Sequence, residues 1–414
     1  MAILSRSKTV ILIFFLALMW LASGCAGKYL NPRHQGGQVL NPKFEPKKNL
    51  RPDKPDVVTI FGLGDWGTGE PGQFKVAKLL KAELELTQGR IIKPFVLGLG
   101  DNHYPNGLSE VWGKTGPAAK QLEKSFGVYR DLSVDGQPIV FHVVHGNHDH
   151  RGDLPMWETL AECMFDENSN GAVFKSYNLW HENIDDSNDK SEYNSLKSCK
   201  TNQLELSMPE LVPAGGESIR IIALDTQFLL DIYQVREWEI MAAEAINSHW
   251  EMLDDLIHDG DPPNWIIVIG HHPLRTHGKH GGSFFGNTWW GKFSRIIPSK
   301  DIQDLKHPAN IAMRQDLETV LSSAKSKVIY LAGHEHNLQF LRVNENLLQV
   351  VSGSAGKTTG VQGKEDTIFC DDSLGFVRFD ITPEEMWIEF PTLNSGPCSP
   401  SALFHLVRNK PFDQ

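Results

Sequence analysis

Five apolar runs in this 414-residue chain end in the same way, with a glycine followed by side chains that can bind metals. Each run is rich in Val, Ile, Leu or Phe, which is typical of a buried β-strand. The blocks after the runs contain Asp65; Asp101, Asn102, His103 and Tyr104; Asn147, His148, Asp149 and His150; His271 and His272; and His334 and His336. A fold built on this sequence must therefore place polar side chains at the ends of several core strands.

The segment between the first two runs predicts an α/β fold. "QFKVAKLLKAELEL" places Val76, Leu79, Leu80 and Leu84 on one helical face. Strand, helix and strand in this order predict a parallel, right-handed crossover. Ligands of such sheets bind beyond the carboxyl ends of the strands, where loops at one edge of a shared sheet converge. The glycines before the blocks, which we expect to allow a sharp turn, are Gly64, Gly100, Gly146, Gly270 and Gly333.

The residue types in the blocks favour a metal centre. A single Asp or His after a strand is more often a turn residue or a helix cap. Five such blocks, however, combine carboxylate, amide, imidazole and phenol, which are ligands suited to iron, zinc or manganese. No block contains cysteine, so a structural thiolate zinc site is excluded.

The blocks GDWG, GDNHY, GNHDH, GHHP and GHEHNLQFL, in this order, resemble the signature of the calcineurin-like metallophosphoesterases. The resemblance is closest to the purple acid phosphatases of the small, tartrate-resistant type. It spans roughly Ile60 to Leu341, and the segment "VVSGSAG" shows a weaker similarity. It implies an α/β fold of two packed mixed β-sheets with flanking helices and a dinuclear metal site at the carboxyl ends of strands.

The resemblance also implies the metals and their ligands. Fe(III) would be held by Asp65, Asp101, Tyr104 and His336, and a divalent ion (Fe, Zn or Mn) by Asp101, Asn147, His271 and His334, with Asp101 bridging the two. Tyr104 would supply the phenolate whose charge transfer to iron gives the enzymes of this family their colour. His103 stands where the mammalian enzymes carry an aromatic residue, and we expect it to tune the pocket.

The activity implied is that of an acid phosphatase, in which a metal-bound hydroxide attacks a phosphomonoester. His148 and His280 match substrate-contacting histidines of the family, while Lys279 replaces a family glutamate. The identity of the general acid among these residues therefore stays open. A phosphodiesterase or nucleotidase on the same centre is the alternative within enzymes. A non-catalytic, lipid-tethered binding module is the alternative outside enzymes, and the intact ligand set argues against it.

The amino terminus predicts export. Residues 1–24 have the order of a signal peptide, with Arg6 and Lys8 before the apolar run "VILIFFLALMWL". The following "LASGC" resembles a lipobox ending at Cys25, although Ala22 replaces the usual leucine. We expect a lipoprotein anchored in a membrane and facing the periplasm or cell surface; ordinary secretion and a retained membrane anchor are the alternatives. Residues 25–55 predict a tether, and residues 56–414 the phosphoesterase domain, with insertions near 155–215 and 282–320.

Charge and cysteine content complete the prediction. The formal net charge of −11 argues against a nucleic acid as a specific partner. In an oxidising compartment, the four remaining cysteines predict two disulfides. Sequence order suggests Cys163 with Cys199 and Cys370 with Cys398, among three connectivities. The physiological substrate and the oligomeric state are not predicted.

Three further features carry less weight. "GSAGKTTG" at 353–360 resembles a phosphate-binding Walker loop, but Val351 stands where that motif requires glycine. Asp225 and Thr226 end another apolar run and are either supporting groups of the site or turn residues. Trp289 and Trp290 are interpreted as packing within the second insertion rather than as walls of a substrate cleft.

Overall fold

The structure is a computed structural model, and it describes residues 38–39, 57–109, 116–154, 172–176, 219–235, 240–281, 301–393, 402–408 and 410. All of them belong to one compact unit, Gly36–Gln414. The predicted signal peptide, most of the predicted tether, and Trp289 and Trp290 lie outside the described residues. No helix in the described ranges is both long and apolar enough to cross a membrane.

Two seven-stranded sheets form the centre of the fold. Sheet I contains, in spatial order, β16 (Ala402–Val407), β15 (Glu385–Phe390), β14 (Val377–Ile381), β2 (Val58–Leu63), β3 (Phe95–Leu99), β6 (Val140–Val144) and β7 (Val173–Ser176). Sheet II contains β1 (Gln38–Val39), β13 (Thr367–Asp371), β11 (Leu338–Arg342), β12 (Leu347–Ser352), β10 (Lys327–Ala332), β9 (Trp265–Gly270) and β8 (Ile219–Ala223). A small hairpin joins β4 (Ser133–Val134) and β5 (Gln137–Pro138).

Both sheets are mixed, and the strands that precede the polar blocks lie in their parallel parts. In sheet I, β2 pairs with β3, and β3 with β6, in parallel. In sheet II, β8, β9, β10 and β12 run parallel. The predicted parallel crossover from β2 to β3 is therefore confirmed.

In the described ranges, five α-helices flank the sheets: α1 (Pro71–Glu85), α2 (Gly116–Phe126), α3 (Thr226–Val235), α4 (Ile240–His258) and α5 (Pro308–Ser322). Helix α1 begins with proline, whose fixed φ suits the first helical position. As predicted, Val76, Leu80 and Leu84 face the core, and Leu79 is partly buried beside them. Helices α1 and α2 cover the outer face of sheet I, and α3, α4 and α5 cover that of sheet II.

The inner faces of the two sheets pack directly against each other. Ile60 and Leu97 of sheet I share one buried cluster with Ile267 and Leu331 of sheet II. Burying such a side chain stabilises the fold by about 1.5–3 kcal/mol relative to leaving it exposed. The predicted architecture, two packed mixed sheets with flanking helices, is confirmed.

Parts of the predicted domain layout differ in detail. Gln38–Val39, within the predicted tether, pairs with β13 at the edge of sheet II. Helix α5 lies in the second predicted insertion, yet its Met313 and Leu317 are fully buried in the core under sheet II. That segments 155–215 and 282–320 are insertions stays a prediction.

The predicted disulfide between Cys370 and Cys398 is wrong in this structure. Cys370 lies within β13, is buried, and carries a free thiol whose pKa burial raises to about 11. Cys163, Cys199 and Cys398 lie outside the described residues.

Candidate metal centre

The polar blocks meet where the carboxyl edges of the two sheets lie side by side. Strands β2, β3 and β6 bring their blocks from sheet I, and β9 and β10 bring theirs from sheet II. The expectation of one shared sheet edge is therefore wrong. The apolar periodicity of each run identified the strands but carried no information on which sheet each one joins.

The turns into the blocks also differ from expectation. Of the five glycines before the blocks, only Gly100 has a positive φ, and three block residues adopt this strained conformation themselves: Asp65 (φ 57°), Asp101 (φ 54°) and His334 (φ 69°). Such strain in non-glycine residues is concentrated at functional sites. The glycines chiefly permit close approach; a Cβ on Gly146 would lie 2.4 Å from Oδ1 of Asp101.

The first group of potential metal ligands consists of the hydroxyl of Tyr104 and the three side chains around it. This hydroxyl lies 2.6 Å from Oδ2 of Asp101, 2.8 Å from Oδ1 of Asp65 and 3.4 Å from Nε2 of His336. Nε2 of His336 is also 3.3 Å from Oδ1 of Asp65. These four residues are those that the resemblance assigns to Fe(III), and the structure brings all of them together.

The tautomers of two buried histidines are set by backbone carbonyls. Nδ1 of His271 lies 2.9 Å from the carbonyl oxygen of Leu99, and Nε2 of His334 lies 3.0 Å from that of Gln303. A carbonyl oxygen only accepts hydrogen bonds, so these nitrogens carry protons. In the neutral rings the lone pairs are therefore on Nε2 of His271 and Nδ1 of His334.

A second donor group forms around these two lone pairs. They lie 3.2 Å apart, and Nε2 of His271 is 3.0 Å from Oδ1 of Asn147 and 3.4 Å from Oδ1 of Asp101. A proton on His271 could reach only one of these acceptors, whereas these four atoms together are a ligand set that would suit one metal ion. Asp101 belongs to both groups through its two oxygens, so the donor set fits a pair of metal ions that share one carboxylate.

His272 adjoins the second group but is not available as a ligand. It lies close enough to His271 and His334 to form a metal-binding cluster. Its Nδ1 contacts the hydroxyl of Thr226 at 2.9 Å, however, and its Nε2 contacts Oε1 of Gln303 at 2.8 Å. Both ring nitrogens are therefore engaged by polar groups that hold the ring in place.

The electrostatics of the site also favour cations. Burial alone would raise the pKa of Asp101. The imidazoles of His271 and His148 have the opposite effect and lower this pKa to about 2. Burial raises the pKa of Tyr104 well above its usual range, and the carboxylates of Asp101 and Asp65 act in the same direction. A phenolate at this position therefore requires a cation beside it.

Each of the two histidines predicted to handle protons packs against a different proposed metal ligand. The ring of His148 packs 4.4 Å from that of Tyr104, and its backbone N–H donates to Oδ1 of Asp101 at 2.9 Å. The ring of His280 lies 4.3 Å from that of His334. Burial lowers the pKa of both, and with the positive charge of Lys279 it brings the pKa of His280 to about 4.

His103 has a different role from the one expected. Its ring is fully buried against Phe126, and its Nδ1 lies 2.8 Å from the hydroxyl of Ser125 in α2. Burial lowers the pKa of His103 to about 3, so the ring is neutral. His103 therefore packs behind its loop and does not line the pocket, because the turn at Asp101 directs its side chain toward α2.

Thr226 supports the site, whereas Asp225 also caps α3, where its Oδ1 accepts the backbone N–H of Phe228 at 2.9 Å. The Thr226 hydroxyl accepts the backbone N–H groups of His271 at 3.1 Å and His272 at 3.0 Å. Both oxygens of Asp225 contact Nε2 of His150, at 2.9 and 2.8 Å. Sequence reasoning had left a turn role equally open for this pair.

Three residues near the centre were not assigned from the sequence. Asp149 accepts the N–H groups of Asn102, His103 and Gly146 at 3.1, 2.9 and 2.8 Å, and so joins two ligand loops. Glu335, fully buried, binds the backbone of the loop that carries His280. Lys357 lies over Tyr104. Asp149 and Glu335 stand inside the metal-binding blocks, so their place in the sequence could have indicated a role at the site. Lys357 stands in the segment 353–360, which resembles a Walker loop but lacks its first glycine.

Comparison with known proteins agrees with this geometry. Residues 58–338, more than half of the chain, match the calcineurin-like phosphoesterase family. The chain belongs to the calcineurin-like phosphoesterase family. Its substrate class is therefore a phosphate ester, and the family implies a metal site among the residues described above.

Individual relatives are distant. The tartrate-resistant acid phosphatase type 5 of Sus scrofa is 24% identical over 376 residues, covering 86% of this chain and 89% of the relative. Purple acid phosphatase 4 of Arabidopsis thaliana is 24% identical over 353 residues, covering 82% and 81%. The solved structure "GAP50 the anchor in the inner membrane complex of Plasmodium" has a TM-score of 0.56 at 16% identity, covering 86% of this chain and 90% of that one, and shows the likeness of fold alone.

Proposed function

We propose that this protein is an exported, metal-dependent acid phosphatase that hydrolyses phosphomonoesters. The observation that carries the proposal is the pair of donor groups that share Asp101, one of which contains the phenol of Tyr104. Relatives named as purple or tartrate-resistant acid phosphatases, which span most of this chain, support the same activity.

The metals proposed are Fe(III) and a divalent ion. Asp65, Asp101, Tyr104 and His336 would hold the iron, since carboxylate and phenolate oxygens are hard ligands. Asp101, Asn147, His271 and His334 would hold the divalent ion, because the lone pairs of both imidazoles point at one place. When bound, two cations lower the pKa of a coordinated water and stabilise the attacking and leaving oxygens of an in-line displacement.

The chain's own residues would orient the ester and supply the proton. His148 packs against Tyr104 and His280 against His334, so both rings would lie near a phosphate ester bound at the two metals. The leaving alkoxide requires a proton, and an imidazolium is a suitable donor. Because the pKa of His280 is about 4, its imidazolium is populated only in acid, which favours an acidic optimum if His280 is the donor.

A comparison of ester types tests the activity. Metal-analysed protein should hydrolyse para-nitrophenyl phosphate with a higher kcat/KM than bis(para-nitrophenyl) phosphate. A preference for the diester would establish the phosphodiesterase alternative. Protein that contains both metals but hydrolyses neither ester would establish the non-catalytic module. His334→Ala serves as the control that distinguishes catalysis by this site from a contaminating phosphatase.

The iron assignment has its own test. Wild-type protein should show a visible absorption band from charge transfer between a tyrosinate and Fe(III), and Tyr104→Phe should abolish it. Iron-loaded, active protein without such a band would contradict the role of Tyr104.

The location proposed is a membrane surface reached by export and lipidation at Cys25. The basic start, the apolar run and the small residues before Cys25 support it. Mass spectrometry of membrane-extracted protein should find a lipid-modified amino terminus at Cys25. An unmodified soluble chain that begins elsewhere would contradict lipidation while leaving export intact.

A further inference from the structure

Lys357 belongs to a loop whose backbone is hydrogen-bonded, before and after Lys357, to the loops that carry Asp65 and His336. The loop follows β12, and the backbone N–H of Ala355 donates to the carbonyl of Gly64 at 3.3 Å, next to Asp65. Beyond Lys357, the N–H of Thr359 donates to the carbonyl of His336 at 2.7 Å. The backbone that carries Lys357 is thus bonded to His336, a proposed iron ligand, and to Gly64, the residue before the proposed ligand Asp65.

Contact with the Asp65 loop also explains the glycine before Lys357. A Cβ on Gly356 would lie 2.5 Å from the carbonyl oxygen of Asp65 and 2.7 Å from Cγ2 of Thr68. Only glycine allows the two loops to approach this closely. The similarity of "GSAGKTTG" to a Walker loop therefore has a different basis, which is close packing against the metal centre.

The ammonium of Lys357 is placed on the ring of Tyr104. Its Nζ lies 3.4 Å from the ring centroid, within the range of a cation–π contact, and the side chain is half-buried. Nothing in the described part of the chain accepts a hydrogen bond from this ammonium or forms an ion pair with it. A half-buried ammonium has three N–H donors, and none of the described residues completes them, so they are available to an acceptor such as a bound anion.

The surroundings of Lys357 define that acceptor. His148, a histidine matched to substrate contact, packs against the same Tyr104 ring at 4.4 Å. The carboxylates of Asp65 and Asp101 accept hydrogen bonds from the Tyr104 hydroxyl, and these three residues belong to the set that would hold the iron. An ammonium at this position meets an anion that approaches the metals, and a phosphate oxygen is a strong acceptor for it.

We propose that Lys357 is a substrate-binding residue, which holds a phosphate oxygen of the ester beside His148. The inference rests on the proposed phosphoesterase function and adds a residue to that site. Since the ester carries its phosphate charge both before and during reaction, Lys357 should contribute to ground state and transition state alike. Its loss should then raise KM more than it lowers kcat.

The test is the affinity for inorganic phosphate, measured by isothermal titration calorimetry on metal-loaded protein. Lys357→Met should bind phosphate about 10- to 100-fold more weakly than wild type, as expected for loss of a hydrogen bond to a charged group. Lys357→Arg, which keeps the charge and donors, should restore most of the affinity. Lys75→Met removes an exposed lysine from α1 and should bind like wild type.

The outcomes separate this inference from the proposed function. Lys357→Met with wild-type metal content and wild-type phosphate affinity would overturn the role of Lys357, even if the protein is a phosphatase. Phosphate binding that depends on Lys357 in a protein that hydrolyses no monoester would support Lys357 and overturn the proposed activity.

Discussion

The carboxylate of Glu335 accepts the backbone N–H of His280 at 2.7 Å and that of Lys279 at 3.0 Å. Glu335 stands between His334 and His336, the two histidines that follow β10. One buried side chain thus fixes the loop that carries His280 relative to both donor groups. The loop after β10 therefore supplies two proposed metal ligands and also fixes the position of His280.

Glu335→Gln should displace His280 without removing a metal ligand. An amide has one acceptor oxygen, so one of the two backbone N–H groups would face an NH2 group instead. Leaving one buried N–H without an acceptor costs about 1–3 kcal/mol, which predicts a fall in kcat of about fivefold or more for esters with poor leaving groups. Metal content should stay at the wild-type value. Glu345→Gln, at an exposed site, is the control, and equal rates for both variants would refute the positioning role.

Lys279→Glu should move the pH dependence of hydrolysis toward higher pH. Burial and then Lys279 lower the pKa of His280 to about 4, so removal of the cation raises that pKa toward its usual value. The imidazolium then persists to higher pH, and the falling limb of kcat against pH moves with it. Lys279→Arg keeps the charge and should leave the profile unchanged. A Lys279→Glu profile identical to that of wild type would show that His280 is not the proton donor.

Replacement of a metal-ligand histidine should lower metal content, whereas replacement of a proton-handling histidine should lower only the rate of hydrolysis. His334→Ala should lower divalent-metal content and turnover together. His148→Ala and His280→Ala should keep both metals and lose about 10²–10⁴ in rate on poor leaving groups, with a smaller loss on activated aryl esters. Metal analysis beside kinetics on both ester types measures this difference. Wild-type rates on poor leaving groups in both proton-handling variants would place proton delivery elsewhere.

Asp149→Ala should loosen two ligand loops at once. The buried carboxylate accepts N–H groups from the loop after β3 and from the loop after β6. Leaving these donors without a partner should cost about 2–4 kcal/mol of unfolding free energy. Thermal or denaturant unfolding of metal-free protein measures the loss without interference from metal binding. Unchanged stability would mean that the loops hold their shape independently.

The sequence predicted the elements well because local signals specify them. Apolar runs located the strands, and the spacing of Val76, Leu80 and Leu84 located the buried face of α1. The resemblance, and not the strand pattern, named the seven expected ligands, while the position of the five blocks at strand ends explains why these side chains can meet. These predictions depended on residues close in sequence or on the direction of a strand.

Other features depended on contacts between distant segments and were not predictable in this way. Assignment of β9 and β10 to a different sheet from β2 is set by packing of the whole core. The ring of His103 is buried because the loop turns at Asp101, which has a positive φ. Lys357 lies over Tyr104 because Gly356 allows its loop to approach the Asp65 loop closely. No pattern in the sequence encodes the direction that a side chain takes after such turns.

The metal content of purified protein, compared with that of Asp101→Ala, tests the central claim most directly. Asp101 is the residue that the two donor groups share, through Oδ2 toward Tyr104 and Oδ1 toward His271. We expect wild-type protein to contain two metal ions per chain, one of them iron, and the variant to lose both. Wild-type protein with a single metal ion, or an Asp101→Ala variant that retains two, would contradict a dinuclear centre built around Asp101.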